Sequence, residues 1–598
     1  MPAAPVPFRV ALVSMPWALV HRPSVQLGVL KGSLEQEGVT VTTLHPYLEV
    51  AKELGLARYQ RLASNLWLGE ALYAPLVFPG QREAAGRLAQ RLVRAEPGLS
   101  LEVEEGINGL DRHLDSWLAA QPWGQFDLVG FSVCFQQLFA SLAAARRLKE
   151  KYPDLPVVFG GSSCAGEAGA SLAAVFPEID FVISGEGEAA LLDLCRTLAV
   201  NPAANGMVGT AAPAPLALAT LPPPDYDDYF VELARVFGGR PFVPELPVEF
   251  SRGCWWNKCA FCNLNLQWRG YRAKPAARML AEVTALAARH GCLDFAFTDN
   301  VLPPKESGEF FRRTAALPAD FRFFAEIRAK LPPATLAGLR SGGLTVVQAG
   351  IEALSDSLLA RMGKGTSVFD NLLLMRNCLA AGIRLEGNLI LEFPGSSEEE
   401  AAETLRILDF LWPFSPLSGA AFFLGHGSPV AMAPEKYGVR ARGAHPHYRA
   451  LIPPEILSRL TLLIQDHRGE RRIQRRRWAL VRRRLALWQR QARQRGEAFP
   501  ARPLLSWRQG GDFIIIRQVT PAGEVLHHTL RGTSRRIYLA CDQPVTLTRL
   551  RADFPAVGRE KLVTFLAGLE RKRLLFAAGE RYLALAIREP RPDAWGRI

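Results

Sequence analysis

Three cysteines fall within nine consecutive positions of this chain, in the run Cys254-Trp-Trp-Asn-Lys-Cys259-Ala-Phe-Cys262. The protein has only nine cysteines in 598 residues, so this group indicates a site for chemistry rather than core packing. A zinc site is closed by four ligands, and no fourth ligand follows nearby. Three thiolates on an iron–sulfur cluster instead leave one iron open to an outside ligand. A structural zinc knuckle is the alternative, and the pattern favours the open cluster.

The trio, with the aromatic Phe261 directly before the last cysteine, resembles the cluster loop of radical S-adenosylmethionine (SAM) enzymes. The usual loop of that family has three residues between its first two cysteines, whereas this chain has four, so one residue must bulge out. The resemblance implies that Cys254, Cys259 and Cys262 hold a [4Fe–4S] cluster whose open iron binds SAM. No second cysteine group follows, so we expect one cluster.

Length and composition limit the class of protein to which this chain can belong. A chain of 598 residues exceeds what one hydrophobic core supports and should divide into about three or four domains. It is 48% hydrophobic and 22% charged, and its longest apolar runs are strand-length, so no membrane span is expected. The N-terminus lacks the features of a secretory signal. The mostly isolated cysteines favour a reducing compartment, and we expect a cytoplasmic protein.

The N-terminal third alternates apolar strands with segments of helical period, starting with RVALVSMPW and QLGVLKGSLEQEG. This alternation predicts an α/β domain with a doubly wound parallel sheet. Such sheets bind ligands at the carboxyl ends of their strands, where this chain has turns rich in Gly and Ser. No G-x-G-x-x-G motif opens the first helix, so a dinucleotide fingerprint is absent.

The ordered series GFS, VVFGG and VISGEGE resembles the cobalamin-binding domain attached to many radical SAM enzymes. The resemblance implies a Rossmann-like cobalamin domain over residues 1–215, followed by a linker over 216–243. The cobalamin contacts that it implies are Ser132, Gly160, Gly161, Ser162, Gly185, Glu186 and Gly187. The chain has no D-x-H-x-x-G loop, so we expect no histidine on the lower face of the cobalt.

Residues 244–440 alternate strands and helices again, beginning with the strand that delivers the cysteines. They predict a partial (β/α) barrel, in which ligand groups sit at the carboxyl ends of strands. The radical SAM resemblance implies SAM contacts there, and GNLILEFPG is similar to the family's G-x-I-x-G-x-x-E strand. The expected contacts, with Phe261, are Asp299, Asn300, Glu326, Arg328, Gln348, Glu352 and Glu392. Each charged residue alone equally suits a strand-end salt bridge.

Most of the net charge of +13 lies in one segment, where twelve arginines stand against one acid between Arg468 and Arg495. Apolar residues recur in it at helical spacing, which predicts an Arg-rich helical connector over residues 441–505 with one packed face. The other face is either a solvated surface or a docking surface for an acidic peptide or a nucleic acid. The sequence does not rank these alternatives.

The C-terminal segment reads as a hairpin, three helices and a closing hairpin with Gly579 at its tip, which predicts a winged-helix-like domain over residues 506–598. The string IYLACDQPVTLTRLRADFP resembles the precursor-binding domains of pathways for ribosomally synthesised, post-translationally modified peptides (RiPPs). The resemblance implies that a leader peptide adds as a strand to a sheet edge. A winged helix equally suits DNA binding or packing.

These resemblances, with the Trp-Trp loop and the run QAGIEALSDSLLARMGKGTS, are closest to radical SAM proteins of RiPP maturation. They imply a cobalamin-dependent radical SAM enzyme that C-methylates an unactivated carbon of a ribosomally made precursor peptide. Its cofactors would be a [4Fe–4S] cluster, SAM and cobalamin, and a flavodoxin or ferredoxin would deliver electrons. We expect neither a membrane nor a nucleic acid as a partner.

Three alternatives stay open. The same cofactors could serve a non-methylating step such as ring contraction or cyclisation. An RNA-modifying methylthiotransferase would need an N-terminal cysteine trio, whereas Cys134, Cys164 and Cys195 are scattered. An iron–sulfur regulator with a DNA-binding winged helix would not cleave SAM.

Overall fold

The computed structural model describes residues 8–202, 217–268, 270–495 and 502–589. Over these ranges the chain is an α/β protein with two parallel sheets, so the predicted fold class is confirmed. The predicted boundary at residue 215 lies outside the described ranges. Among the helices of those ranges, none is both long and apolar enough to cross a bilayer.

The N-terminal part is a doubly wound domain. Its strands are β1 (Arg9–Val13), β2 (Thr40–Leu44), β3 (Leu128–Ser132), β4 (Val157–Gly160) and β5 (Phe181–Val182). Its helices are α1 (Val25–Gln36), α2 (Tyr47–Leu54), α3 (Leu56–Ala63), α4 (Leu68–Val77), α5 (Arg82–Ala95), α6 (Val103–Ala120), α7 (Leu138–Lys151), α8 (Glu167–Val175) and α9 (Gly187–Val200). The strands pair in parallel in the order β2-β1-β3-β4-β5. The order reverses between β1 and β3, which is where such sheets bind ligands.

The central part is a six-stranded open barrel, entered through helix α10 (Asp227–Phe237) in the linker. Its strands and the short pair at the cysteine loop are β6 (Glu245–Val248), β7 (Ser251–Arg252), β8 (Arg272–Ala273), β9 (Asp294–Phe297), β10 (Arg322–Ile327), β11 (Leu344–Glu352), β12 (Arg384–Leu391) and β13 (Ser418–Ala421). Its helices are α11 (Ala276–His290), α12 (Glu306–Thr314), α13 (Pro333–Ser341), α14 (Asp356–Arg361), α15 (Val368–Ala381) and α16 (Glu398–Leu408). The parallel order β13-β12-β11-β10-β9-β6 makes β13 an edge strand.

The predicted helical connector, residues 441–505, also contributes two strands to a small antiparallel sheet whose third strand lies before residue 441. From residue 424 to residue 494 the elements are β14 (Leu424–Gly425), α17 (Pro429–Met432), β15 (Ala441–Ala444), α18 (Pro446–Leu451), α19 (Pro454–Leu457), β16 (Ile464–Arg468), α20 (Arg471–Arg477) and α21 (Ala479–Gln494). The strands pair in the order β14-β16-β15. The Arg-rich helix is two helices that break at Trp478, whose buried indole Nε1 donates a hydrogen bond to Ser396 Oγ at 2.9 Å.

The C-terminal part joins a four-stranded sheet to a winged-helix unit. Its elements are β17 (Leu505–Gln509), β18 (Phe513–Val519), β19 (Val525–Arg531), α22 (Gly532–Ala540), β20 (Val545–Thr546), α23 (Leu547–Asp553), α24 (Arg559–Arg571), β21 (Leu575–Ala578), β22 (Arg581–Ala584) and β23 (Ile587–Arg588). The sheets have the orders β19-β18-β17-β23 and β20-β22-β21. Three helices followed by the β21–β22 hairpin confirm the predicted winged-helix topology.

The barrel and the C-terminal part share one hydrophobic core. The ring of Phe576 lies 5.2 Å from that of Phe369 and 5.5 Å from that of Phe410, measured between centroids. The buried Arg376 on α15 donates a hydrogen bond to the Ala584 carbonyl at 2.8 Å. The winged-helix unit is therefore packed on the barrel rather than tethered to it.

Candidate active site

The three cysteines lie on the loop between β7 and β8, at the carboxyl end of β6, and their thiols are free and half-buried. The chain enters the loop through Gly253, which has φ +79. A Cβ at this position would lie 2.3 Å from the Gly270 carbonyl oxygen, so only glycine fits the turn. Asn257, one of the four residues between the first two cysteines, has φ +45, a conformation that is uncommon for a residue with a side chain.

The loop is fastened to the turn after α14. The Trp256 indole donates a hydrogen bond to the Gly363 carbonyl at 2.8 Å, and the Ala260 amide donates one to the Met362 carbonyl at 2.8 Å. The Cys254 amide donates to Asn265 Oδ1 at 2.9 Å. These bonds fix the backbone that carries the thiols, as a cluster site requires.

Two cations stand beside the thiols. Burial raises the pKa of the Cys259 thiol, and the nearby Lys364 and Arg328 act against that effect. The Arg328 guanidinium lies over the rings of Trp256 and Trp255, 4.0 and 5.4 Å from their centroids. Half-buried thiols flanked by positive charge suit an anionic iron–sulfur cluster, because cations favour thiolates.

Across the described ranges, no group of three His, Cys, Asp or Glu side chains is arranged to hold one metal ion. Burial, with smaller contributions from the charges of Cys259 and Cys254, raises the pKa of the Cys262 thiol to about 11, so the three thiols lie near enough to interact. Phe261, between Cys259 and Cys262, packs against the barrel core. The Lys364 ammonium lies 5.9 Å from the centre of the Phe261 ring.

Two predicted SAM contacts, Glu326 and Glu352, meet near the loop. Lys364 Nζ donates a hydrogen bond to Glu352 Oε1 at 3.1 Å. Burial, followed by the charge of Glu352, raises the pKa of Glu326 to about 7. Glu352 itself has φ +59, an uncommon conformation for a residue with a side chain. These carboxyl groups and Lys364 form a charged patch at the ends of β10 and β11, where SAM is expected.

The next two predicted SAM contacts, Asp299 and Asn300, differ in their surroundings. Asp299 is buried, and its two oxygens accept hydrogen bonds from the Phe250 amide at 3.0 Å and from the Ser251 hydroxyl. Burial raises the pKa of Asp299 to about 7. This carboxyl therefore braces the strand before the loop. The buried Asn300 Nδ2 has no hydrogen-bond partner within the described ranges, which fits a group that awaits a ligand.

The last two predicted SAM contacts lie in different surroundings. Gln348 is the register partner of Glu326 on the neighbouring strand, and it lines a cavity with Glu386 and Asn388. Glu392 has φ +63, and its carboxylate pairs with Arg482 and lies 3.9 Å from Arg475 Nε, outside the expected cluster of contacts. The sequence grouped Glu392 with the strand ends, but the unusual backbone turns its side chain toward the Arg-rich helices.

All seven predicted cobalamin contacts line one cavity of about 330 Å³ at the carboxyl ends of β3, β4 and β5. Gly161 has φ +94, and a Cβ there would lie 2.8 Å from the Val133 carbonyl oxygen. At Gly160 and Gly185, an added Cβ would meet only one backbone oxygen, 3.9 and 3.7 Å away. The missing side chains leave an open floor of the size of a small-ligand site, which fits part of a cobalamin molecule.

Arg252, two residues before Cys254, lines the cavity and connects it to the cysteine loop. Its guanidinium donates hydrogen bonds to Glu186 at 2.8 Å and to Glu249 at 2.7 and 2.9 Å, and it also pairs with Glu188. Arg272 on the partner strand binds Glu186 as well. The Glu186-Gly-Glu188 turn that lines the cavity is therefore tied directly to the loop.

Sequence reasoning missed Arg252, Arg272 and Lys364 as site residues. A weak signal existed for two of them. Arg252 immediately precedes the glycine of the cysteine loop, and Lys364 lies between two glycines in MGKGTS. Their partners are distant in sequence, so the roles appear only in the folded chain.

The sequence predicted a radical SAM barrel that carries this cysteine loop next to a doubly wound domain. The comparison with protein families agrees with that prediction for the barrel. Residues 248–408 match the Radical SAM superfamily, so the chain carries a radical SAM domain there. The radical SAM barrel predicted from the cysteines is thus confirmed.

Among curated relatives, the chain is 26% identical over 299 residues to the uncharacterized methyltransferase PH0819 of Pyrococcus horikoshii, covering 47% of this chain and 63% of that protein. It is 25% identical over 276 residues to the anaerobic magnesium-protoporphyrin IX monomethyl ester cyclase of Cereibacter sphaeroides, covering 40% and 44%. The chain thus spans less than two thirds of the length of either relative.

A solved structure shares the fold. The radical SAM methyltransferase TsrM of Kitasatospora setae, determined with cobalamin and a [4Fe–4S] cluster, is similar with a TM-score of 0.52 at 16% identity. The match covers 77% of this chain and 88% of that one. The likeness supports the predicted arrangement of a Rossmann-like domain beside a radical SAM barrel.

Proposed function

We propose that this chain is a cobalamin-dependent radical SAM methyltransferase that modifies an unactivated carbon of a ribosomally made peptide. One observation carries the proposal. The glycine-lined cavity and the cysteine loop meet at Arg252, so groups bound at the two sites would share one reaction space. The names of PH0819 and TsrM, both methyltransferases, support the same reaction class.

A [4Fe–4S] cluster with SAM supplies reductive cleavage of a sulfonium, and cobalamin supplies a transferable methyl group. The chain's part is to bind and orient these groups. Cys254, Cys259 and Cys262 would hold the cluster, while Lys364 and Arg328 balance its negative charge. Holding the reacting carbon in place can lower the barrier by roughly 7–11 kcal/mol.

Asn300 and the Glu326–Glu352 pair would bind the polar groups of SAM. The buried Asn300 amide is a donor that has no other partner in the described chain. Glu326, with a pKa near 7, can hold or accept a proton at its carboxyl group under neutral conditions.

The peptide substrate is proposed from the C-terminal sheet. Strand β19 is an edge strand seven residues long, and its residues alternate between exposed and half-buried. Its other side pairs fully with β18. A leader peptide could add there as a further strand, with backbone hydrogen bonds giving affinity. A small flavodoxin or ferredoxin remains the proposed electron donor, and the cytoplasm the proposed location.

A non-methylating ring-forming step is the second candidate, because several curated relatives are cyclases. Reconstituted protein, reductant, methyl-deuterated SAM and a candidate precursor peptide would separate the two. A peptide that gains a labelled methyl group supports methylation. A peptide that changes mass without label supports the second candidate. Absence of SAM cleavage under these conditions contradicts both.

A further inference from the structure

A cavity of about 1070 Å³ lies between the end of β12, the edge strand β13 and helices α20 and α21. Gly419 and Ala421 of β13 line it, whereas Ser418 and Ala420 line the cavity that contains Gln348. Successive residues of a strand point to opposite faces, so the two cavities lie on opposite sides of β13. The larger cavity is thus separate from the cavity that Gln348 lines, and none of the three cysteines lines it.

The lining of this cavity is cationic. Five arginines face three glutamates across it, which leaves an excess of two positive charges. Arg440 lies on the turn before β15, and its amide donates a hydrogen bond of 2.8 Å to the Arg468 carbonyl just before α20. The other four arginines lie on α20 and α21, and they are Arg471, Arg475, Arg477 and Arg482. The set combines a turn with two helices, which distinguishes it from one solvated helix face.

Some of these guanidinium groups have close hydrogen-bond or ion-pair partners, whereas others have a distant partner or none among the described residues. Arg471 pairs with Asp466, and Arg477 donates to the Ser396 carbonyl at 2.7 Å. The Arg475 side chain is 62% exposed and only 3.9 Å from Glu392, a contact that contributes little in water. Arg440 is exposed and forms no ion pair with any described residue.

The backbone at Glu392 adds an independent observation. Its φ of +63 is rare outside glycine, and this conformation turns the carboxylate into the cavity, onto Arg482 and Arg475. Uncommon backbone conformations persist where function requires them. The Glu392 carboxylate already pairs with Arg482, so this ion pair shows how an oxyanion can bind in the cavity.

We propose that this cavity binds the carboxylate or phosphate groups of a ligand with at least two negative charges. The guanidinium fork matches both oxyanions, and the two arginines with no carboxylate nearer than 3.9 Å, Arg440 and Arg475, suit a dianion. The volume of about 1070 Å³ is just above the usual range for small-molecule sites. This assigns a role to the Arg-rich segment that the proposed function leaves without one.

Calorimetric titration of the full-length reconstituted protein with pyrophosphate and with citrate, at about 0.15 M salt, tests this site. The cavity variant carries Arg440→Gln and Arg475→Gln. The matched control carries Arg472→Gln and Arg476→Gln, which remove the same charge from exposed positions on α20 outside the cavity. Thermal unfolding checks that both variants fold.

We expect saturable binding of at least one anion, weakened tenfold or more in the cavity variant and unchanged in the control. Saturation by pyrophosphate alone assigns a phosphate ligand, and saturation by citrate alone assigns a carboxylate ligand. Equal weakening in both variants, or no saturable binding of either anion, overturns the proposal. The readout needs no SAM cleavage, so it is independent of the proposed function.

Discussion

The guanidinium of Arg252 and the carboxylate of Glu188 form an ion pair that ties the N-terminal domain to the barrel. The two side chains are only 5% and 6% exposed. The pair lies at the rim of the glycine-lined cavity and two residues before the first cysteine. Whatever fixes this arginine therefore fixes the cysteine loop relative to the neighbouring domain.

Replacing Arg252 with Met should lower the free energy of unfolding by about 3–5 kcal/mol, because it leaves buried carboxylates without a counter-charge. Denaturant unfolding measures the loss, and iron content after reconstitution reports on the loop. Arg196→Gln is the control, since Arg196 pairs with Glu37 at the surface and should matter by about 1 kcal/mol at most. Equal losses of the free energy of unfolding in the two variants would contradict a stabilising role of the buried Arg252–Glu188 ion pair.

Cys259→Ala should give a folded protein that binds no intact cluster, because the thiol is half-buried on a loop and is not part of the hydrophobic core. Iron content and the visible absorption of the cluster measure the effect, and thermal unfolding checks the fold. Cys541→Ala removes a buried thiol from the C-terminal domain and should leave the iron content unchanged. A Cys259→Ala protein that still cleaves SAM would refute the assignment of this cysteine.

Lys364→Met should make the cluster harder to reduce, because the reduced form carries more negative charge and loses a nearby cation. A redox titration followed by electron paramagnetic resonance measures the potential, which should become more negative. Lys258→Met is the matched control, because Lys258 is exposed and its charge is screened by water. Equal shifts of the potential in the two variants would contradict a specific effect of the Lys364 charge on the cluster.

Glu70 should make the protein less stable as the pH rises from about 4.5 to 7. Burial raises the pKa of Glu70 to about 7, although it accepts hydrogen bonds from the Leu138 and Phe139 amides. In this window the folded chain holds a proton that the unfolded chain has lost, so stability falls with pH by about 1–3 kcal/mol. Glu70→Gln should flatten this part of the unfolding profile. An unchanged slope would show that Glu70 titrates normally.

The seven glycine, serine and glutamate positions predicted for cobalamin could be found from the sequence because of a general property of parallel sheets. The turns after β3, β4 and β5 must fall on the same edge, so a series of small residues in that order predicts one cavity. The cysteines are likewise contiguous in sequence. Features that are contiguous or follow a fixed order in the sequence can therefore be recognised before the fold is known.

Other features depend on tertiary contacts that no local pattern encodes. Glu392 follows its strand as predicted, but its φ of +63 directs the carboxylate toward α21. Strand β16 carries Gln465, Asp466 and His467, so its polar sequence hid a strand that pairs on both sides. The Arg-rich segment breaks at Trp478 because its indole packs inward onto Ser396.

The central claim is that the three cysteines hold an iron–sulfur cluster with one iron open to SAM. The most direct test is the electron paramagnetic resonance spectrum of the reduced, reconstituted full-length protein, recorded before and after SAM is added, alongside metal analysis. We expect about four irons per chain and a spectrum that changes when SAM binds. Zinc in place of iron, or a cluster spectrum that SAM leaves unaltered, would contradict it.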